Sequence, residues 1–132
     1  MSASRSGNIE FMGTMSRQLS IEEQRLTRWL LSKAPEVISK GLDLESVRVL
    51  DSGEGGYRSV IFPNPKIENL GSRKLGTYLV EAEFFDEDGV LVRIALNTDF
   101  MGMLYELDIF RVDYAPIRNF PKDLSELRFL LT

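Results

Sequence analysis

Two hydrophobic periods run along this chain, and the switch between them marks its elements. From Ser20 the spacing is helical, with Leu26, Trp29, Leu30 and Lys33 on one stripe and Arg25, Arg28 and Ser32 facing away. Ser20 followed three residues later by Glu23 forms a capping box, in which each side chain satisfies a backbone donor at the helix start. Pro35 separates a shorter helical piece, Glu36–Lys40, and Gly41 is a natural stop. The period then drops to two. A strand through Val47 and Val49 leads into the turn Asp51–Gly56, a second strand runs from Tyr57 to Phe62, and Pro63 ends it. The Pro, Asn and Gly content of Asn64–Leu75 reads as a loop.

Two hairpins follow whose pairing can be derived. Asp86-Glu87-Asp88-Gly89 suits a three-residue loop with Gly89 in the left-handed conformation, which pairs Phe84 with Val92, Ala82 with Ile94 and Val80 with Leu96. Asp99-Phe100-Met101-Gly102 suits a four-residue loop and pairs Val92 with Ile109, Ile94 with Leu107 and Leu96 with Tyr105. Both registers put one apolar set on one face, as a three-stranded β-meander requires. After Pro121, Leu124, Leu127, Leu130 and Leu131 at three-to-four spacing predict a C-terminal helix from Lys122. The fold class is therefore α+β: an antiparallel sheet of about five strands, with the meander in the C-terminal half and an N-terminal and a C-terminal helix on one face. Residues 1–14 read as a flexible N-terminal extension, Met15 as a candidate start, and 15–132 as a single α+β domain.

Composition narrows the chemistry. The 132 residues hold no cysteine and no histidine. Disulfides, thiolate metal sites, Ser-His-Asp triads and HExxH zinc sites are all excluded, leaving carboxylate, lysine, tyrosine or hydroxyl chemistry. The expectation is that the protein is not an enzyme and takes no cofactor. No apolar run reaches the ~18 residues needed to cross a bilayer, and Met1–Thr14 lacks a signal-peptide core. A cysteine-free chain fits the reducing cytoplasm. Net charge is −4, which argues against a nucleic-acid partner. The acidity is concentrated: residues 81–113 contain nine acids against Arg93 and Arg111, a net of −7.

The same registers define the second sheet face. Glu83 falls beside Arg93 and Arg93 beside Asp108. Glu81, Ala95 and Glu106 form one neighbouring row, and Phe85, Leu91 and Phe110 the other. One surface thus collects Glu81, Glu83, Arg93, Glu106, Asp108, Phe85 and Phe110. Alternation puts Arg111 on the opposite face near the strand end, where it should matter less than Arg93. Three readings compete for this surface. It is a solvated face with cross-strand charge pairs, or a binding face for a basic partner with aromatic anchors, or a carboxylate site for Mg²⁺ or Ca²⁺. No metal-binding motif is present. Gly53–Gly56 lacks the Gly-Lys-Ser/Thr of a phosphate loop, and Asp86–Gly89 does not continue into a calcium loop.

The run Gly102-Met103-Leu104-Tyr105-Glu106-Leu107-Asp108-Ile109-Phe110-Arg111-Val112-Asp113-Tyr114-Ala115-Pro116, with Phe120-Pro121 after it, resembles a family of small uncharacterised bacterial proteins. These share an aromatic-Glu-Leu-Asp strand followed by a basic residue, an Asp-aromatic pair and Pro. The turns at Gly53–Gly56 and Asp86–Gly89 resemble two further landmarks, and the likeness spans Leu19 to Pro121. Members resemble proteins encoded near secreted toxins, which implies an immunity role, and no catalytic residues carry over. The expectation is a small cytoplasmic binding protein, an immunity protein neutralising a cationic toxin domain through the acidic face, without nucleic acid or membrane as partner. The alternatives are a carboxylate-based metal-dependent enzyme and a structural or regulatory subunit, a homodimer burying the Phe85–Phe110 row.

Overall fold

The computed structural model describes residues 16–34, 42–52, 57–67 and 70–130. The expected N-terminal extension, the Glu36–Lys40 piece with Gly41, the Gly53–Gly56 turn and Leu131 lie outside the described residues. The elements are β1 (Arg17–Gln18), α1 (Ile21–Lys33), β2 (Arg48–Ser52), β3 (Ser59–Ile61), β4 (Leu75–Phe85), β5 (Leu91–Asp99), β6 (Leu104–Arg111) and β7 (Arg128–Leu130). Single 3₁₀ turns span Leu70–Ser72 and Leu124–Glu126. One seven-stranded sheet is ordered β1-β2-β3-β6-β5-β4-β7, and every pair in it is antiparallel.

The expected α+β architecture with about five strands and a helix at each end is thus corrected. The protein is mostly antiparallel sheet, with one α-helix among the described residues. The two unforeseen strands are β1 and β7, each too short to show a period-two pattern. The C-terminal helix is absent: Leu127 is buried in the core, and 128–130 pair with Glu81–Glu83 of β4. An eleven-residue segment is a marginal helix by itself. The open edge of β4 offers it backbone hydrogen bonds, Phe129 stacks on Trp29 with ring centroids 4.9 Å apart, and Arg128 pairs with Glu83. Tertiary partners override the leucine spacing.

The N-terminal helix forms as its cap predicts. The Glu23 amide donates to Ser20 Oγ at 3.1 Å, and the Ser20 amide donates to Glu23 Oε1 at 2.8 Å. Leu26 and Leu30 project from α1 into the cluster built by Val80, Ala82 and Phe84 of β4 and Val92, Ile94 and Leu96 of β5. Arg17 joins the helix to the sheet through Glu23 and Asp51.

The β4–β5 hairpin has the expected register, with Phe84, Ala82 and Val80 opposite Val92, Ile94 and Leu96, and Gly89 has φ +85°. The β5–β6 hairpin does not. Val92 faces Arg111, Ile94 faces Ile109 and Leu96 faces Leu107, two residues further along β6 than expected. One residue of the slide comes from the turn. Asp99 N–H donates to Met103 O at 2.8 Å, closing three loop residues rather than four, with Gly102 at φ +84°. The second comes from a bulge: Thr98 faces Leu104 and Asn97 faces Glu106, so Tyr105 is the extra residue. The even shift keeps Leu107 and Ile109 inward, while the bulge buries Leu104 in place of Tyr105.

A buried ion pair holds both irregularities. Arg73 Nε donates to Asp99 Oδ2 at 2.9 Å, with side chains 1% and 0% exposed. Asp99 also accepts from Asn64 Nδ2 and from the amides of Met101 and Met103. Arg73 donates to the carbonyls of Phe62 and Leu104, and its guanidinium lies 4.3 Å from the Tyr105 ring centroid. Burial by itself would raise the Asp99 pKa, but hydrogen bonds from Asn64, Arg73 and the two amides outweigh it and hold the carboxyl below its ordinary value. A depressed acid stabilises the fold above its unfolded pKa, and that stabilisation is lost as pH falls through the folded value. Asp99→Asn leaves a buried, unpaired guanidinium and should lower stability by about 3–5 kcal/mol at neutral pH. Urea unfolding of the variant checks this, and the gap from the parent should narrow as pH drops below the carboxylate range.

Candidate functional site

Alternation turns Glu81, Glu83 and Phe85 of β4, Arg93, Ala95 and Asn97 of β5, and Glu106, Asp108 and Phe110 of β6 away from the α1 side. All seven residues singled out from the sequence therefore share one face, but the β5–β6 slide changes their neighbours. The rows are Glu83–Arg93–Phe110, Glu81–Ala95–Asp108 and Tyr78–Asn97–Glu106. Asp108 is thus opposite Ala95 rather than beside Arg93, Glu106 is opposite Asn97, and Phe110 has left the Phe85–Leu91 row. Phe85 is exposed at the rim.

Glu81, Arg93, Ala95, Asp108 and Phe110, with Tyr57 and Tyr78, line a groove of about 340 Å³. Tyr57, just before β3, is bridged to Phe110 of β6 and stacks on it with centroids 4.5 Å apart, and Tyr114 meets Phe110 edge-on at 5.1 Å. The sequence reading missed both Tyr57 and Tyr78. Period-two counting back from Glu81 selects Leu79, but a register irregularity between Tyr78 and Val80 brings Tyr78 onto this face instead. Tyr57 arrives through the non-local pairing of β3 with β6, which no local pattern announces.

The acidic segment divides sharply by partner. Arg111 is buried on the core side, where Asp86, Asp88 and Asp113 all bind its guanidinium at 2.6–3.0 Å. Its hydrogen bonds hold Asp113 at about 2. The expected ranking is reversed: Arg111 is a structural hub, whereas Arg93 is largely exposed and reaches Glu83 only at 3.9 Å. Glu83 itself is buried beneath Arg128 and is not open to a partner. Asp99 belongs to Arg73, and Glu87 lies 3.8 Å from Arg118. Of the nine acids in 81–113, Glu81, Glu106 and Asp108 have no ion-pair cation among the described residues. Glu106 and Asp108 adjoin on one face of β6, and Glu81 stands across Ala95 from Asp108.

Asp108 accepts a hydrogen bond from the Ser59 hydroxyl, and Asn97 Nδ2 lies 3.4 Å from Glu106 Oε1. Burial, followed by the negative charge of Asp108, raises the Glu106 pKa above its ordinary value, against the opposing Asn97 contact. Among the described residues no three Asp, Glu, His or Cys side chains converge to hold a metal ion. No described helix is long and apolar enough to cross a membrane.

Residues 16–121 match the model of a domain of unknown function, DUF6984. The chain belongs to the DUF6984 family. The match encloses the Leu19–Pro121 span of the resemblance and ends before β7, so the strand that clamps Glu83 lies outside the matched DUF6984 region. No curated protein and no solved structure matches the chain.

A raised acid favours the fold below its unfolded pKa, and that advantage disappears as pH rises through the folded value. Ionised Glu106 therefore costs stability at neutral pH. Glu106→Gln should raise the melting temperature at pH 7, and the gain should vanish toward pH 4, where both side chains are neutral. Calorimetry at the two pH values checks the sign.

Proposed function

We propose that this DUF6984 protein is a non-catalytic binding protein whose outer sheet face holds a basic protein partner. The observation that carries the reading is the cluster of Glu81, Glu106 and Asp108, three acids of one face without an ion-pair cation among the described residues. Uncompensated carboxylates on one face repel one another, Glu106 and Asp108 most directly, and a cationic surface relieves that repulsion on docking. Exposed Tyr57 and Tyr78 beside them supply apolar area of the kind that anchors interfaces. The same negative face opposes the phosphate backbone of a nucleic acid. The chain has no histidine or cysteine, and Ser59, the hydroxyl that donates to Asp108 on this face, is itself buried. The resemblance to proteins encoded near secreted toxins points to a cationic toxin domain as the partner and neutralisation in the cytoplasm as the role.

The test is a binding series with small basic protein domains at low and high salt, comparing the parent with the Glu81→Lys/Asp108→Lys double variant. Association should be electrostatically steered, so high salt and the double variant should each slow it by about tenfold or more. The variant should remain folded, because neither side chain joins the core, with only a modest change in melting temperature as Asp108→Lys removes the acceptor of the Ser59 hydroxyl and the like charge beside Glu106. Affinity that ignores both salt and the double variant contradicts the reading.

A further inference from the structure

Within this reading, and resting on it, we propose that the groove over Ala95 receives a single arginine side chain of the partner, stacked on the Tyr57–Phe110 pair and ion-paired by Glu81 and Asp108. Ala95 is the floor because it stands between the two acids in one cross-strand row. Strands are about 4.8 Å apart, so the acids rise roughly 10 Å from each other across a methyl group, a gap that a flat cation fills. The Glu81 carboxylate has no hydrogen-bond or ion-pair partner among the described residues, and Ser59 fixes Asp108 through one oxygen while leaving the other available. The walls are aromatic. Tyr57 and Phe110 stack on one side, and Tyr78 stands at the other end, with the two tyrosines 39% and 52% exposed.

At its Tyr78 end the groove borders Asn97, which lies in the next row of the same face between Tyr78 and Glu106, is 1% exposed, and has no hydrogen-bond partner for its Oδ1 among the described residues. A buried acceptor left unpaired is costly, so that end of the groove favours a donor-rich ligand over another acceptor. Guanidinium suits this groove better than ammonium because it is planar, stacks on rings and presents five donors in a fork. The chain uses the same pairing internally, with Arg58 over Phe120 at 4.7 Å and Arg73 over Tyr105 at 4.3 Å.

Arg93 lines the groove but does not fill this role. Its carboxylate is Glu83, already held by Arg128, so Arg93 remains at the Phe110 end as a like charge facing an incoming guanidinium. Removing it should therefore tighten binding, an effect that a merely structural arginine would not produce.

The experiment titrates the full-length protein with the tripeptide Ac-Gly-Arg-Gly-NH₂, its lysine analogue and its citrulline analogue, read by backbone NMR shifts. The arginine peptide should give saturable shifts centred on Ala95, Asp108 and Phe110, bind several-fold more tightly than the lysine peptide, and lose binding when replaced by the neutral citrulline. Phe110→Leu should weaken it about threefold. Glu81→Gln and Asp108→Asn should each weaken it roughly two- to fivefold, and Arg93→Gln should strengthen it. No saturable shift, equal binding of arginine and citrulline, or shifts centred elsewhere overturns the arginine site. If basic domains still bind with salt dependence and fail with the double lysine variant, only the groove assignment falls. If they do not, the acidic-face reading falls with it.

Discussion

Arg73 and Asp99 meet where neither side chain reaches solvent, and the placement of the β6 residues in the groove, Asp108 and Phe110, follows from that contact. A carboxylate in the interior must fill its lone pairs, and Asp99 does so with Arg73, Asn64 and the amides of Met101 and Met103. Those two amides draw the β5–β6 turn into a three-residue loop. Arg73, reaching the Leu104 carbonyl and the Tyr105 ring, lies against the bulge that adds the next residue. The result is a two-residue slide that puts Asp108 opposite Ala95. Buried ion pairs add little net stability, but they penalise any register that leaves them broken. Here the pair specifies a register.

Net charge along the chain conceals how the acids are used. The −7 segment from 81 to 113 is two populations interleaved by strand alternation. One faces the core side or the hairpin end and is consumed by Arg111 and Arg73, tying the β4–β5 loop to β6 and to the backbone amides of Arg118 and Asn119. The other faces outward and keeps its charge. Only the second population is left without a cation among the described residues. Glu83 shows how narrow the distinction is: it points outward, yet the three-residue strand β7 brings Arg128 over it and removes it from the exposed set.

What could be read from the chain was what short-range chemistry determines. The Ser20–Glu23 box announces α1, and Asp86-Glu87-Asp88-Gly89 admits one tight turn, so the β4–β5 register and the shared face of Glu81, Arg93, Asp108 and Phe110 were legible. The β5–β6 register was not, because the donors that shape its turn include Arg73 and Asn64, 26 and 35 residues away in sequence. The C-terminal leucines fit a helix equally well until the open edge of β4 and the face of Trp29 are present to compete for them. Tyr57 and Tyr78 join the groove through a non-local strand pairing and an irregular strand. Neither leaves a periodic trace.

In the proposed role, Glu81, Glu106 and Asp108 are the acids that meet a basic surface. Carbodiimide coupling of the folded protein to a lysine-containing basic peptide, followed by peptide mapping, interrogates this directly because only a carboxylate in contact with a partner amine is joined. The cross-links should fall on Glu81 and Asp108, with Glu106 weaker because it is more enclosed, and should be lost at high salt. They should be absent from Asp86 and Asp99, whose oxygens are buried against Arg111 and Arg73. Cross-links distributed instead over scattered surface acids such as Glu22, Asp123 and Glu126, with none on the β4–β6 face, would contradict the account.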